Sequence, residues 1–301
     1  KMNIIQDFKR ESRFDPDLAR RLNEQVEQEE KREKLKEKLK AKKTPEQPEQ
    51  KEPLIIPAAN LQDPEDYILL QQTRDHPDIL IAKYRLGLNA EVEQVAKQLS
   101  LTLQNTAKEQ NGHDYLGNIN HPQSLDLAKA LSFFTLPVSY FREHLRNLRE
   151  GFLGNTVVYD GKGKKLERKE LEALFNEITE VRSPWRAEWL NDRCIEKKKD
   201  IYVVRNKFDS SGKLTEATEQ LDKDALRQNK LPGISLDEWL NNSTEQGLPR
   251  KNIQDGNLYY WNPIANSVAW FLAGSAWAVL SCGRFPQGSS AVLGVRVARV
   301  K

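Results

Sequence analysis

The sequence predicts an α+β protein in three parts: a charged N-terminal helix, an all-α region, and a C-terminal domain of strands and helices. Three observations predict it. Residues 16–43 carry alternating Glu and Lys with few apolar side chains, and residues 63–152 carry apolar side chains at three- and four-residue spacing. From Gly256 to Val295 the only charged residue is Arg284, in a chain that is 30% charged, and there small or apolar groups recur at every second position. The implied boundaries are 1–44 for the charged helix, 45–62 for a linker, 63–152 for the helical domain and 153–301 for the last domain.

The first helix starts at Asp15-Pro16-Asp17 and keeps Leu18, Leu22 and Val26 on one stripe before it becomes EEKREKLKEKLKAKK. Glu and Lys at i,i+4 spacing let it persist in water as a solvated helix or short coiled coil. Four prolines with many Gln and Glu between Thr44 and Pro57 mark the linker.

In the helical region the apolar spacing predicts helices over Ile79–Leu88, Ala90–Leu103, Ser124–Phe134 and Val138–Phe152, broken at Gly112, at Gly117–Pro122 and at Pro137. The region's role is not legible in its residues. His76, His113, His121 and His144 share no metal-ligand spacing with one another or with Cys194 and Cys282, so no metal site is expected. The two cysteines read as free buried thiols, with a single disulfide as the alternative.

Past Asn155 the style changes. Thr156–Tyr159 reads as a strand ending in the turn Asp160-Gly161-Lys162-Gly163, whose spacing is not that of a phosphate loop. Leu171, Leu174, Phe175, Ile178 and Val181 mark a helix face. Trp185 and Trp189 are four apart, as on one side of a helical turn. Ile201–Arg205 reads as a short strand and residues 206–232 as a polar excursion. Ser235 caps a helix, with Glu238 placed to complete a capping box.

The terminal stretch separates into two sets. Ala269, Phe271, Ala273, Ala278, Leu280 and Cys282 suit the inner face of a sheet, as do Leu293 and Val295 later on. Trp261 and Phe271 are assigned to the core, and Tyr259 and Tyr260 to opposite faces. Between the inner positions stand Trp270, Leu272, Gly274, Ala276, Trp277, Val279, Ser281, Gly283, Arg284 and Phe285, a set without the Lys, Glu and Thr of an ordinary solvated strand face.

A strand, two helices with tryptophans, a long irregular region and the closing Leu293-Gly294-Val295-Arg296 resemble the C-type lectin fold. The pattern Ser267-Val268-Ala269-x-Phe271-x-Ala273-x-Ser275-x-x-Ala278-x-Leu280-x-Cys282, then Pro286-Gln287, resembles the variable proteins of diversity-generating retroelements, of the archaeal, viral and small-genome bacterial type. In that family a reverse transcriptase copies a template repeat with errors at adenines, and one face of a fixed C-type lectin scaffold displays the result. The resemblance covers about 155–301 and is specific from about Leu258. It implies a variable region at about 267–292 and a solvent-facing ligand site made of Trp270, Leu272, Gly274, Ala276, Trp277, Val279, Ser281, Gly283, Arg284, Phe285, Gly288 and Ser290.

Codon logic fits the resemblance. An Asn codon ending in a pyrimidine, with both adenines randomised, can give Phe, Leu, Ser, Val, Ala, Gly or Arg but never Lys, Glu, Gln, Met or Trp. Positions 272, 274, 276, 279, 281, 283 and 285 all hold residues from the permitted set. Trp270 and Trp277 follow from one adenine changed in an AGG codon, and Gln287 falls outside the set and is expected to be invariant.

The implied function is non-covalent binding of a protein ligand with an apolar or aromatic-rich surface, without cofactor or catalysis. The stretch itself lacks the acidic residues of a calcium cage. A net charge of +3 supplies no field for nucleic acid. No apolar secretory segment stands at the N-terminus, which favours the cytoplasm. Three other readings stay open: a membrane span over the uncharged run Pro263–Gly283, a buried strand pair in a plain structural or interaction protein, and an enzyme of the formylglycine-generating type, which shares the scaffold but needs a reactive cysteine pair or metal-binding thiols.

Overall fold

The closing strand, Val297–Val300, lies between Ile79–Ala82 and Phe134–Thr135, so the end of the chain is built into the region expected to be a separate helical domain. The computed structural model describes residues 61–101, 106–108, 114–183 and 185–301. The expected helix at 16–43 and nearly all of the linker lie outside the described residues.

In chain order the elements are a 3-10 turn (Pro64–Asp66), β1 (Tyr67–Leu70), β2 (Ile79–Ala82), α1 (Ala90–Gln98), β3 (Thr106–Lys108), β4 (Asp114–Leu116), α2 (His121–Ala130) and β5 (Phe134–Thr135). Then come α3 (Val138–Leu153), α4 (Arg168–Thr179), β6 (Arg186–Lys197), β7 (Asp200–Phe208), β8 (Leu214–Gln220), β9 (Lys230–Ile234) and α5 (Leu236–Asn241). The last five are β10 (Leu258–Trp261), β11 (Ser267–Ala273), β12 (Ala278–Arg284), β13 (Leu293–Val295) and β14 (Val297–Val300). Among the described residues one sheet runs β1-β2-β14-β5. The largest runs β8-β7-β6-β11-β12-β10-β9 with β13 on β6, and β3 pairs with β4. The protein is mixed α+β, mostly sheet with few helices.

This corrects several expectations. Residues 63–152 are not all-α, and the described residues on either side of 153 belong to the same compact unit. Ile79–Ala82 is a strand buried on both faces, and a continuous apolar run of that length reads alike as buried strand or helix. Thr156–Tyr159 is not a strand: only isolated bridges form, at Tyr159 and at the following Asp160. Trp185 and Trp189 border and enter a twelve-residue strand, β6, rather than a helical turn. Residues 206–232 contain the end of β7, all of β8 and the start of β9.

The helices form where local signals are complete. In α2, Asn120 accepts from the Gln123 N–H while the Gln123 side chain accepts from the Asn120 N–H, a full capping box. At α5, Ser235 accepts from the Glu238 N–H, but Glu238 turns its carboxylate to the N–H of Gln254 instead of closing the box. In α3 the start is capped from another element, since the Val138 N–H donates to Asp192 of β6 at 2.6 Å. Its end is Gly154 at φ 85, a conformation that costs glycine little.

Two cores result. One holds Phe141, Leu145 and Leu148 of α3, Leu171, Leu174 and Phe175 of α4, and the inner set Ala269, Phe271, Ala278, Leu280 and Cys282 of β11 and β12. The other holds Trp189, Trp270, Leu272, Val279, Leu293 and Val295 with Tyr67, Val92, Ile119, Leu127 and Phe133. The central strands are buried on both faces.

Candidate binding surface

The alternation read in β11 and β12 places the predicted residues in two rungs across the sheet. Tyr259, Val279, Leu272 and Ala187 stand side by side on β10, β12, β11 and β6, and Trp261, Ser281, Trp270 and Trp189 form the next rung. The expected inner residues occupy the opposite face or, for Leu293 and Val295, the second core.

The expectation that the whole set faces solvent is corrected. Trp270, Leu272, Val279, Ser281 and Arg284 are at most 7% exposed, and Gly274 and Gly288 are buried. The physical reason is a cover supplied by residues 115–133, whose role the sequence left unread. The Trp189 indole N–H donates to the Ile119 carbonyl at 2.9 Å, and His121 meets the Trp189 ring edge-on at 5.5 Å. Gly117 allows the cover to sit down, since a Cβ there would lie 2.0 Å from the Ala291 carbonyl oxygen.

The same cover holds the loop after β12. The N–H groups of Asn118 and His121 donate to the carbonyls of Ser290 and Pro286, and the Asn120 amide donates to Gln287. The Tyr115 hydroxyl donates to the Val292 carbonyl. Arg284 lies 5.0 Å from the Trp270 ring centre as a cation–π partner, and Gly288 makes room for its guanidinium. The Trp270 indole N–H meets no acceptor among the described residues.

Burial falls off toward β10. Ala276 and Phe285 are exposed, and Trp277, Gly283 and Ser290 are half-buried. Tyr259 stacks on Trp277 at 5.5 Å with planes 4° apart. Beside them stand half-buried Trp261, corrected here from a core position, and Ile264, 45% exposed. These residues make a mainly apolar strip along β10 and β12. The sequence reading included Trp277, Gly283 and Phe285 but missed Trp261 and Ile264; Tyr259 was legible from its alternation with buried Tyr260. At the hairpin, Trp185 covers Gly274 and donates from its indole to the Ser275 hydroxyl at 2.8 Å.

Charge near the surface is buried and paired. Arg296 binds Glu188 through two contacts of 3.0 and 3.1 Å and reaches Glu177 at 3.2 Å, while Arg85 holds the other oxygen of Glu177 at 3.3 Å. Burial opposes the Arg296 charge, but Glu188 and Glu177 raise its pKa above the ordinary arginine value. His121, donating from Nε2 to the Leu190 carbonyl in its neutral form, is pushed by burial down to about 4. Cys194 and Cys282 are free and buried, and burial pushes the Cys194 thiol up to about 12. Among the described residues no group of His, Cys, Asp and Glu is placed to hold a metal ion. Pro263–Gly283 contains β11, the hairpin and most of β12, and no helix of the described residues is long and apolar enough to cross a membrane.

Comparison with protein-family models, with curated proteins and with solved structures returned no match.

Proposed function

We propose that this chain is a non-enzymatic binding protein of the diversity-generating-retroelement type, presenting a changeable surface on a C-type lectin-like scaffold. The observation that carries the reading is the division of β11 and β12. Their repeating small and apolar residues enter one core, and the residues between them form registered rungs that end in the half-exposed strip of Tyr259, Trp261, Trp277, Ile264 and Phe285. Trp277 and Phe285, with Ala276, Gly283 and Ser290, make the contacts. Buried Trp270, Leu272, Val279 and Ser281 set the relief on which those contacts sit. The partner is a protein with an apolar or aromatic-rich surface, since aromatic side chains dominate the strip.

The burial of Trp270, Leu272 and Val279 favours a second reading, in which the strand pair is ordinary core and carries no diversity. The nucleotide sequence of the gene and its flanks decides between them. A second, near-identical copy of codons 267–292 differing only at adenines, beside a reverse transcriptase gene, is expected. If no such repeat accompanies the gene, the first reading fails and the second stands.

A further inference from the structure

The largest sheet ends in two edges of opposite character. At one end β9 carries Pro232 and Gly233 in a five-residue strand and pairs with β10 through a register shift. Proline offers no N–H, and such a strand is a poor template for another. At the other end β8 pairs with β7 over all seven residues without a shift, contains no Pro, Gly or Lys, and has no other described strand on its outer side. Its residues are exposed or half-exposed. An even edge of this length is an addition site for a further strand.

We propose that this added strand is β8 of a second copy, paired antiparallel about a two-fold axis through Ala217. The sequence LTEATEQ selects that register. Centred on Ala217, Thr215–Glu219 overlap: Ala217 meets its mate, Glu216 stands opposite Thr218 and Thr215 opposite Glu219, while the Gln220 carbonyl, which accepts from the Gln246 amide, ends the free edge. Each carboxylate faces a hydroxyl and none directly faces another carboxylate, the like-charge arrangement that destabilises a strand pair. Sliding by two residues, the next register in which the backbone groups match, sets Glu216 against its own mate in one direction and in the other draws Gln220, whose carbonyl Gln246 occupies, into the pairing. Each carboxylate is also paired within its own copy, Glu216 with Arg193 and Glu219 with Arg205 and Lys207, which lowers the repulsion across the axis. The association is isologous and closes at the dimer.

Cysteine scanning of the full chain tests the register. Directly opposed residues of an antiparallel pair have Cβ atoms about 5 Å apart, close enough for a disulfide after a small adjustment. Under oxidised glutathione, Ala217→Cys is expected to give a disulfide-linked dimer on non-reducing electrophoresis. Thr215→Cys, whose mates would stand roughly 14 Å apart at strand spacing, is expected to stay monomeric. Native Cys194 and Cys282 are buried and leave the background clean. Adding Thr218→Glu to Ala217→Cys sets carboxylate against carboxylate and is expected to cut crosslinking several-fold. Unchanged melting of each variant keeps the comparison fair. The proposal is overturned if Ala217→Cys stays monomeric, if Thr215→Cys crosslinks equally well, or if the unaltered chain keeps the monomer mass at every concentration in sedimentation equilibrium.

Discussion

Arg296 and Glu188, 108 residues apart, meet in a two-contact ion pair with both side chains at most 5% exposed. The pair ties the residue after β13 to the start of β6, and through Glu177 and Arg85 it extends to α4 and the segment after β2. Two arginines and two glutamates leave the cluster neutral, which makes its burial tolerable.

Removing one member should therefore cost more than removing a matched pair. Arg296→Met is expected to destabilise the fold by about 3–5 kcal/mol, because it strands buried carboxylate charge. Combining it with Glu188→Gln should recover part of the loss. Urea unfolding of the single and double variants measures both.

The tryptophans of the site should separate by burial. Trp270→Ala is expected to lose about 3–5 kcal/mol, as large-to-small core changes do. Trp277→Ala, at a half-buried position, should lose far less, and Phe285→Ala should stay within about 0.5 kcal/mol, the range of surface substitutions. If Trp270→Ala melts like the wild type, the second core is misassigned.

Acid should loosen the protein through His121 and His144, whose pKa values burial lowers. His121 and His144 are held neutral by burial, with pKa values near 4 and 3 against an ordinary 6.5. Their contribution is fully present above pH 6.5 and is lost as pH falls toward those values, up to about 3 kcal/mol for His121. Buried Asp192, raised to about 6, acts the other way between pH 6 and 4, but on a smaller shift than the two histidines together. Stability measured from pH 7 to 4 is expected to fall, and His121→Gln should flatten the slope.

The thiols should be silent until unfolding. Cys194 Sγ lies 3.9 Å from the Cys282 carbonyl, both residues are buried, and burial raises both thiol pKa values. Ellman's reagent is expected to find no fast-reacting thiol in the native protein and two in guanidinium. A fast native reaction would show that the core opens there.

Gly117→Ala should disturb the surface from beneath. The new methyl would collide with the Ala291 backbone and lift residues 115–121 from the loop they hold. Faster hydrogen exchange is expected at the amides of Asn118, His121 and Leu293, with little change in α3 and α4.

How much of this was legible varies with the range of the forces involved. Period-two alternation assigned the faces of β11 and β12, and the Ser235 cap marked the start of α5, because those signals act over a few residues. The spacing in Ile79–Ala82 failed because a short run buried on both faces has no polar side to reveal its period. β6 was unreadable for a related reason. Its Arg186, Glu188 and Asp192 mimic a solvated segment until partners from α3, α4 and the segment after β13 neutralise or cap them.

The sequence by itself determined which residues of the terminal stretch share a face, and that the two faces differ in chemistry. Only the tertiary structure decided which part of the second face stays open. Alternation fixes the side of a sheet to which a side chain points, whereas exposure depends on what distant chain is laid over it. Here residues 115–133 close over Trp270 and Trp189 and stop short of Tyr259, Trp261 and Trp277.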